Sequence, residues 1–122
     1  MRVKCINTTP KTTSRITIGK EYIVLSIEIS GPYSIVNPQE GDHILFRLID
    51  DDRVVIPYPA NLFDIVSGDM FPDWIFFKTE KGSFMIIPKQ WAREGFWEDF
   101  YNDEPSTMLT FNVVKNEIYN MG

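Results

Sequence analysis

Glu21-Tyr22-Ile23-Val24-Leu25-Ser26-Ile27-Glu28-Ile29 is the stretch whose reading decides the fold. Ile23, Leu25, Ile27 and Ile29 alternate with Tyr22, Val24, Ser26 and Glu28. A period of two, rich in β-branched and aromatic residues, fits a pleated strand with one apolar face. The reading predicts one long strand over residues 21–29, broken by Ser30-Gly31-Pro32.

Working outward toward the N-terminus, Gly19-Lys20 separates the stretch from Ile16-Thr17-Ile18. Residues 7–15 are polar and contain Pro10, which reads as a loop. Val3 and Cys5 alternate with Arg2 and Lys4, which predicts a half-buried first strand. On the other side, Tyr33 to Val36 reads as a short strand and Asn37 to Asp42 as turn chemistry. His43 to Ile49 reads as a strand closed by Asp50-Asp51-Asp52, the expected tip of a hairpin returning through Arg53 to Pro57. Pro57 and Pro59 are expected to stop regular pairing, because proline donates no ladder hydrogen bond. Asn61 to Val66 predicts a helical turn and then a strand.

The second half changes character. Trp74 to Thr79 and Ser83 to Ile87 flank Glu80-Lys81-Gly82, which predicts a hairpin. Trp97, Phe100 and Tyr101 have helical spacing, and Gly95 can open that turn. The last segment fits a helix through Met108, Phe111, Val114 and Ile118, with Pro105 in its first turn. A strand through Leu109, Phe111 and Val113 is the competing reading, and the helix is preferred. The fold class is therefore α+β, mainly β: a strongly bent antiparallel sheet or small barrel, then a hairpin and one or two short helices. Residues 1–122 form one domain, a β part over 1–66 and a hairpin-plus-helical part over 67–122, with Ser67 to Pro72 the most linker-like place.

Composition excludes several function classes. The 122 residues are 43% hydrophobic and 24% charged, an ordinary globular balance. Nine Phe, five Tyr and three Trp suffice to fill a core. The net charge of -5 argues against binding to nucleic acid, whose phosphates demand Lys and Arg, and against an anionic membrane surface. No apolar run approaches the roughly 20 residues that span a bilayer. No signal peptide is read at the N-terminus, so the cytoplasm is the expected compartment.

Catalytic and metal-binding patterns are lacking. One cysteine and one histidine cannot build a zinc site of the usual Cys/His type. Cys5 sits in an apolar strand pattern and reads as a buried inert thiol, and His43 as a surface-turn residue. The Asp50-Asp51-Asp52 run lacks the spaced ligands and central Gly of a calcium loop. No glycine loop cradles phosphate and no serine sits in a nucleophile elbow. The expectation is a non-enzyme with no catalytic residues, no metal and no cofactor.

Acidity is unevenly placed. Residues 1–39 carry Arg2, Lys4, Lys11, Arg15 and Lys20 against Glu21 and Glu28. The net negative charge lies wholly beyond them and is densest between Trp91 and Glu104, where Glu94, Glu98, Asp99, Asp103 and Glu104 surround large aromatics. Those aromatics are either an exposed recognition patch or the core side of an amphipathic turn, with the balance slightly toward core. The acids read as surface either way. Such a face attracts a cationic partner and raises its on-rate.

Ile16-Thr17-Ile18-Gly19-Lys20-Glu21-Tyr22-Ile23-Val24 resembles the opening of small SH3-like barrel proteins of bacteria and phages. Asn61-Leu62-Phe63-Asp64-Ile65-Val66 is similar to the segment that closes those barrels, so the resemblance covers residues 1–66. It implies an SH3-like barrel for the first half. Pro72-Asp73-Trp74 and Gly95-Phe96-Trp97-Glu98-Asp99-Phe100 resemble small bacterial immunity proteins that neutralise toxin domains. That likeness implies an inhibitor of a cognate protein toxin, such as a basic nuclease, and transfers no site residue. Joined to the charge pattern, it makes Glu94, Glu98, Asp99, Asp103 and Glu104 the expected contact acids. Trp91 or Trp97 is then the anchor, and Asp50, Asp51 and Asp52 are a second acidic site. The alternative is an SH3-like module that binds a peptide or nucleic acid through the basic residues of the first half.

Overall fold

The computed structural model describes residues 1–29 and 44–121. The expected strand Tyr33 to Val36, the turn Asn37 to Asp42 and His43 lie outside the described residues. Among the described residues eight strands are present: β1 Arg2–Cys5, β2 Glu21–Ile23, β3 Ser26–Ile29, β4 Ile44–Ile49, β5 Val55–Pro59, β6 Phe63–Ser67, β7 Trp74–Lys78 and β8 Phe84–Pro88. Helices α1 Phe96–Tyr101 and α2 Pro105–Met121 follow. One sheet has the order β2-β1-β6 and the other β5-β4-β3-β8-β7, with every pairing antiparallel. The fold is α+β and mainly β, and no barrel closes among the described residues.

The opening stretch is not one strand. It divides into β2 and β3, which belong to different sheets. The division falls between neighbours: the Val24 amide donates to Met1 O at 3.0 Å, and the Leu25 amide donates to Arg47 O at 2.8 Å. The chain thus leaves one sheet and enters the other within a single peptide. Tyr22, Val24, Leu25 and Ile27 are all buried. Alternation correctly marks extended backbone, but both faces are covered because each sheet packs on the other.

Pro57 and Pro59 do not stop pairing. They sit within β5, opposite Arg47 and Leu45. β5 is an edge strand, and an edge tolerates proline where the missing N–H would face outward. The Asp50 tip is as expected: Asp50 and Val54 close the hairpin, with Arg53 at φ 62 in the left-handed region. A 3-10 turn over Ala60–Leu62 leads into β6, again as the sequence predicts.

Two apolar layers follow from the pleat. Adjacent residues of a strand point to opposite faces. Phe46 of β4 packs on Phe63 of the smaller sheet, with ring centroids 6.1 Å apart. Arg47, one residue on, points to the other face and lies under α1. On that second side Phe111, Val114 and Ile118 of α2 are buried, while Leu109 and Val113 are 67% and 52% exposed. Those exposures select the helix over the competing strand. Both parts of the chain build the larger sheet, since β8 pairs with β3, and Trp74 Nε1 donates to Leu25 O at 3.1 Å.

Candidate binding surface around α1

A 3-10 turn over Lys89–Trp91 and Gly95 at φ 75 set the entry into α1. Only glycine adopts that left-handed conformation without penalty. The aromatics of this segment are largely core. Trp91 is 0% exposed and stacks between Phe96, at 5.7 Å, and Phe111, at 5.0 Å. Phe100 meets Phe111 at 4.5 Å. Trp91 therefore cannot anchor a partner at the surface, which corrects one of the two expected anchors. Trp97 is only partly buried.

Trp97 belongs to an arrangement that sequence reasoning missed. The Arg47 guanidinium lies 4.2 Å from its ring centroid. Arg47 Nη2 donates to Glu28 at 3.2 Å, and Nη1 donates to the Tyr101 hydroxyl at 2.7 Å. That hydroxyl in turn donates to Val55 O. Burial pushes the Tyr101 phenol up, so it remains a donor at neutral pH. Trp97 Nε1 is buried without a hydrogen-bond partner among the described residues. Glu28, Arg47 and Trp97 also border an open cleft of about 230 Å³, walled by Phe77, Met85 and Ile87. Its rim carries Glu28, Glu94 and Glu98 against Arg47, Lys81 and Arg93. The cleft is therefore balanced in charge, and of the acids of the segment Asp99, Asp103 and Glu104 lie outside it.

The expected acids divide into two groups. Asp50 is buried and accepts from the Tyr58 hydroxyl at 2.6 Å and from the amides of Asp52 and Val54. Burial and that carboxylate push the Tyr58 phenol up. Asp51 accepts from Thr17, Lys20 and Tyr22. Both carboxylates tie the hairpin tip to the fold, so of the three only the Asp52 carboxylate has no partner among the described residues. Asp99 pairs with Arg93 at 2.9 Å, and Glu94 accepts the Glu80 amide at 2.7 Å. Glu98 and Asp103 are exposed, and no described residue holds either carboxylate. In the basic first half, Arg2 pairs with Glu21 and Lys20 with Asp51, which neutralises two of the five cations. Cys5 is buried, and burial pushes its thiol up.

Glu104 caps α2. Its carboxylate accepts the Ser106 and Thr107 amides at 3.1 and 2.8 Å and both of their hydroxyls. Hydrogen bonds from Thr107 and then Ser106 hold its pKa down at about 2. A carboxyl depressed in the folded state contributes stability above its unfolded value and loses it as pH falls. The Glu104 contribution is thus complete above about pH 4.5 and lost as pH falls to about 2. Glu104→Gln removes this titration. Its melting temperature is expected to fall less steeply than that of the parent between those limits. Parallel curves would remove Glu104 from the acid response.

Among the described residues, no three His, Cys, Asp or Glu side chains gather to hold a metal. No helix there is long and apolar enough to cross a membrane. No known protein family, curated protein or solved structure matches the chain.

Proposed function

We propose that the chain is a small binding protein that docks a basic protein partner on the acids around α1, and that this partner is a bacterial toxin which it blocks. The reading is supported by the division of the acids. Asp50, Asp51, Asp99 and Glu104 have internal partners, whereas Glu98 and Asp103 offer their carboxylates to solvent on the same short helix and its exit. Trp97, at the edge of the cleft, supplies a partly accessible ring next to Glu98. Blocking by occlusion asks no chemistry of this surface.

The test takes the protein encoded by the neighbouring gene as the candidate toxin. Co-expression with this chain is expected to restore growth. Binding is expected to weaken steeply with salt, as an electrostatically steered pair must. Glu98→Lys together with Asp103→Lys is expected to weaken binding at least tenfold and flatten that salt dependence. No growth protection would end the toxin reading. Protection with unchanged affinity in the double variant would move the contact elsewhere.

A further inference from the structure

Among the described residues the two sheets present four edge strands: β2 and β6 in the smaller, β5 and β7 in the larger. Three are blunted. β5 contains Pro57 and Pro59. β2 is three residues long and starts with Glu21. β6 carries Asp64, and its pairing with β1 shifts register. Such devices keep an edge from templating another strand. β7 is the least guarded of the four. Its sequence Trp74-Ile75-Phe76-Phe77-Lys78 has no proline, pairs with β8 without a shift, and carries one charge, at its end. Ile75 and Phe76 project to opposite faces, 42% and 64% exposed.

We propose that β7 pairs with the β7 of a second copy of this chain, antiparallel about a twofold axis at Phe76. The five strands of each copy then continue as one sheet. Chemistry favours a second copy over an unrelated strand. An antiparallel twofold edge is self-complementary, since the same residues serve both sides. It sets Phe76 against Phe76 and Ile75 against the partner's Phe77, a pairing of large apolar residues on both faces. It also carries the two Lys78 side chains to opposite ends of the ladder. Each Lys78 then lies across from the partner's Trp74, so the two cations stay apart. A parallel pairing would put Lys78 on Lys78.

The measurement is the mass in solution of the full chain, by sedimentation equilibrium or light scattering across about 5–200 µM, a range that brackets micromolar association. Twice the 14.2 kDa of the chain is expected. Phe76→Lys sets like charges face to face at the axis and is expected to raise the dimer dissociation constant more than tenfold. Leu109→Lys, on an exposed part of α2, is expected to leave it unchanged. If Phe76→Lys fails to fold, Phe76→Cys gives an independent reading. Paired residues on neighbouring strands lie within disulfide reach, so oxidation is expected to link it as a dimer while Leu109→Cys stays unlinked. A parent that stays at 14.2 kDa throughout overturns the proposal, even if β7 adds a strand from some other protein. A folded Phe76→Lys that remains dimeric overturns it as well, as does Leu109→Lys becoming monomeric.

Discussion

Trp91→Ala is expected to lower the unfolding free energy by about 3–5 kcal/mol, the largest single effect in the molecule. Trp91 is 0% exposed and lies between the ring of Phe96, which starts α1, and that of Phe111, in the middle of α2. It also meets Trp97 edge-on at 5.6 Å. Removing it takes away the transfer energy of a full indole and leaves a cavity that two helices and a sheet cannot all close. The ring pairs add about 0.5–1.5 kcal/mol each beyond burial. A melting temperature lower by more than about 10 °C should follow for a domain of this size. Trp91→Phe keeps most of the stack and should cost clearly less. If Trp91→Ala melts within a few degrees of the parent, α1 and α2 do not rest on this ring. The same experiment separates core from interface: a surface anchor would affect binding and spare stability.

Signals that reside in a few adjacent residues were legible. Glu80-Lys81-Gly82 between two apolar runs gave the β7–β8 hairpin, with Gly82 at φ 87. The 3.6-residue spacing of Phe111, Val114 and Ile118 gave α2. What depended on distant partners was not. Period-two alternation over residues 21–29 is the same whether the strand stays in one sheet or passes to another, because it records local backbone and not the neighbour beyond. Pro57 and Pro59 read as breakers, because edge position is a property of the whole sheet. Carboxylates looked equivalent in a charge count. Asp50 is buried on Tyr58 while Asp52 is solvated, a difference set by the turn and by a tyrosine eight residues on. Arg47 had one local sign, a cation inside an otherwise apolar strand. Its partners Glu28, Trp97 and Tyr101 come from two distant segments, β3 and α1.

Arg47→Ala is expected to destabilise the fold by about 2–4 kcal/mol and to loosen α1 from the sheet. Three contributions are lost together. The guanidinium lies over Trp97 at 4.2 Å, and a desolvated cation–π contact is worth about 2 kcal/mol. A charge-assisted hydrogen bond such as that to Tyr101 is worth about 1.5–3 kcal/mol. Glu28 is left with an unpaired carboxylate, though its 22% side-chain exposure lets water relieve part of that cost. These do not add in full, because burying Arg47 costs desolvation that its loss returns. Arg47→Lys should rescue little: an ammonium cannot lie flat on an indole and also reach Tyr101 and Glu28. Pairing the change with Glu28→Gln tells the contributions apart. If the unpaired carboxylate dominates, Arg47→Met with Glu28→Gln recovers most of the stability lost by Arg47→Met alone. If the stack dominates, it recovers little, and amide exchange in Phe96–Tyr101 stays fast. An Arg47→Ala protein as stable as the parent, with α1 still protected, would mean that the aromatic layer alone holds that helix.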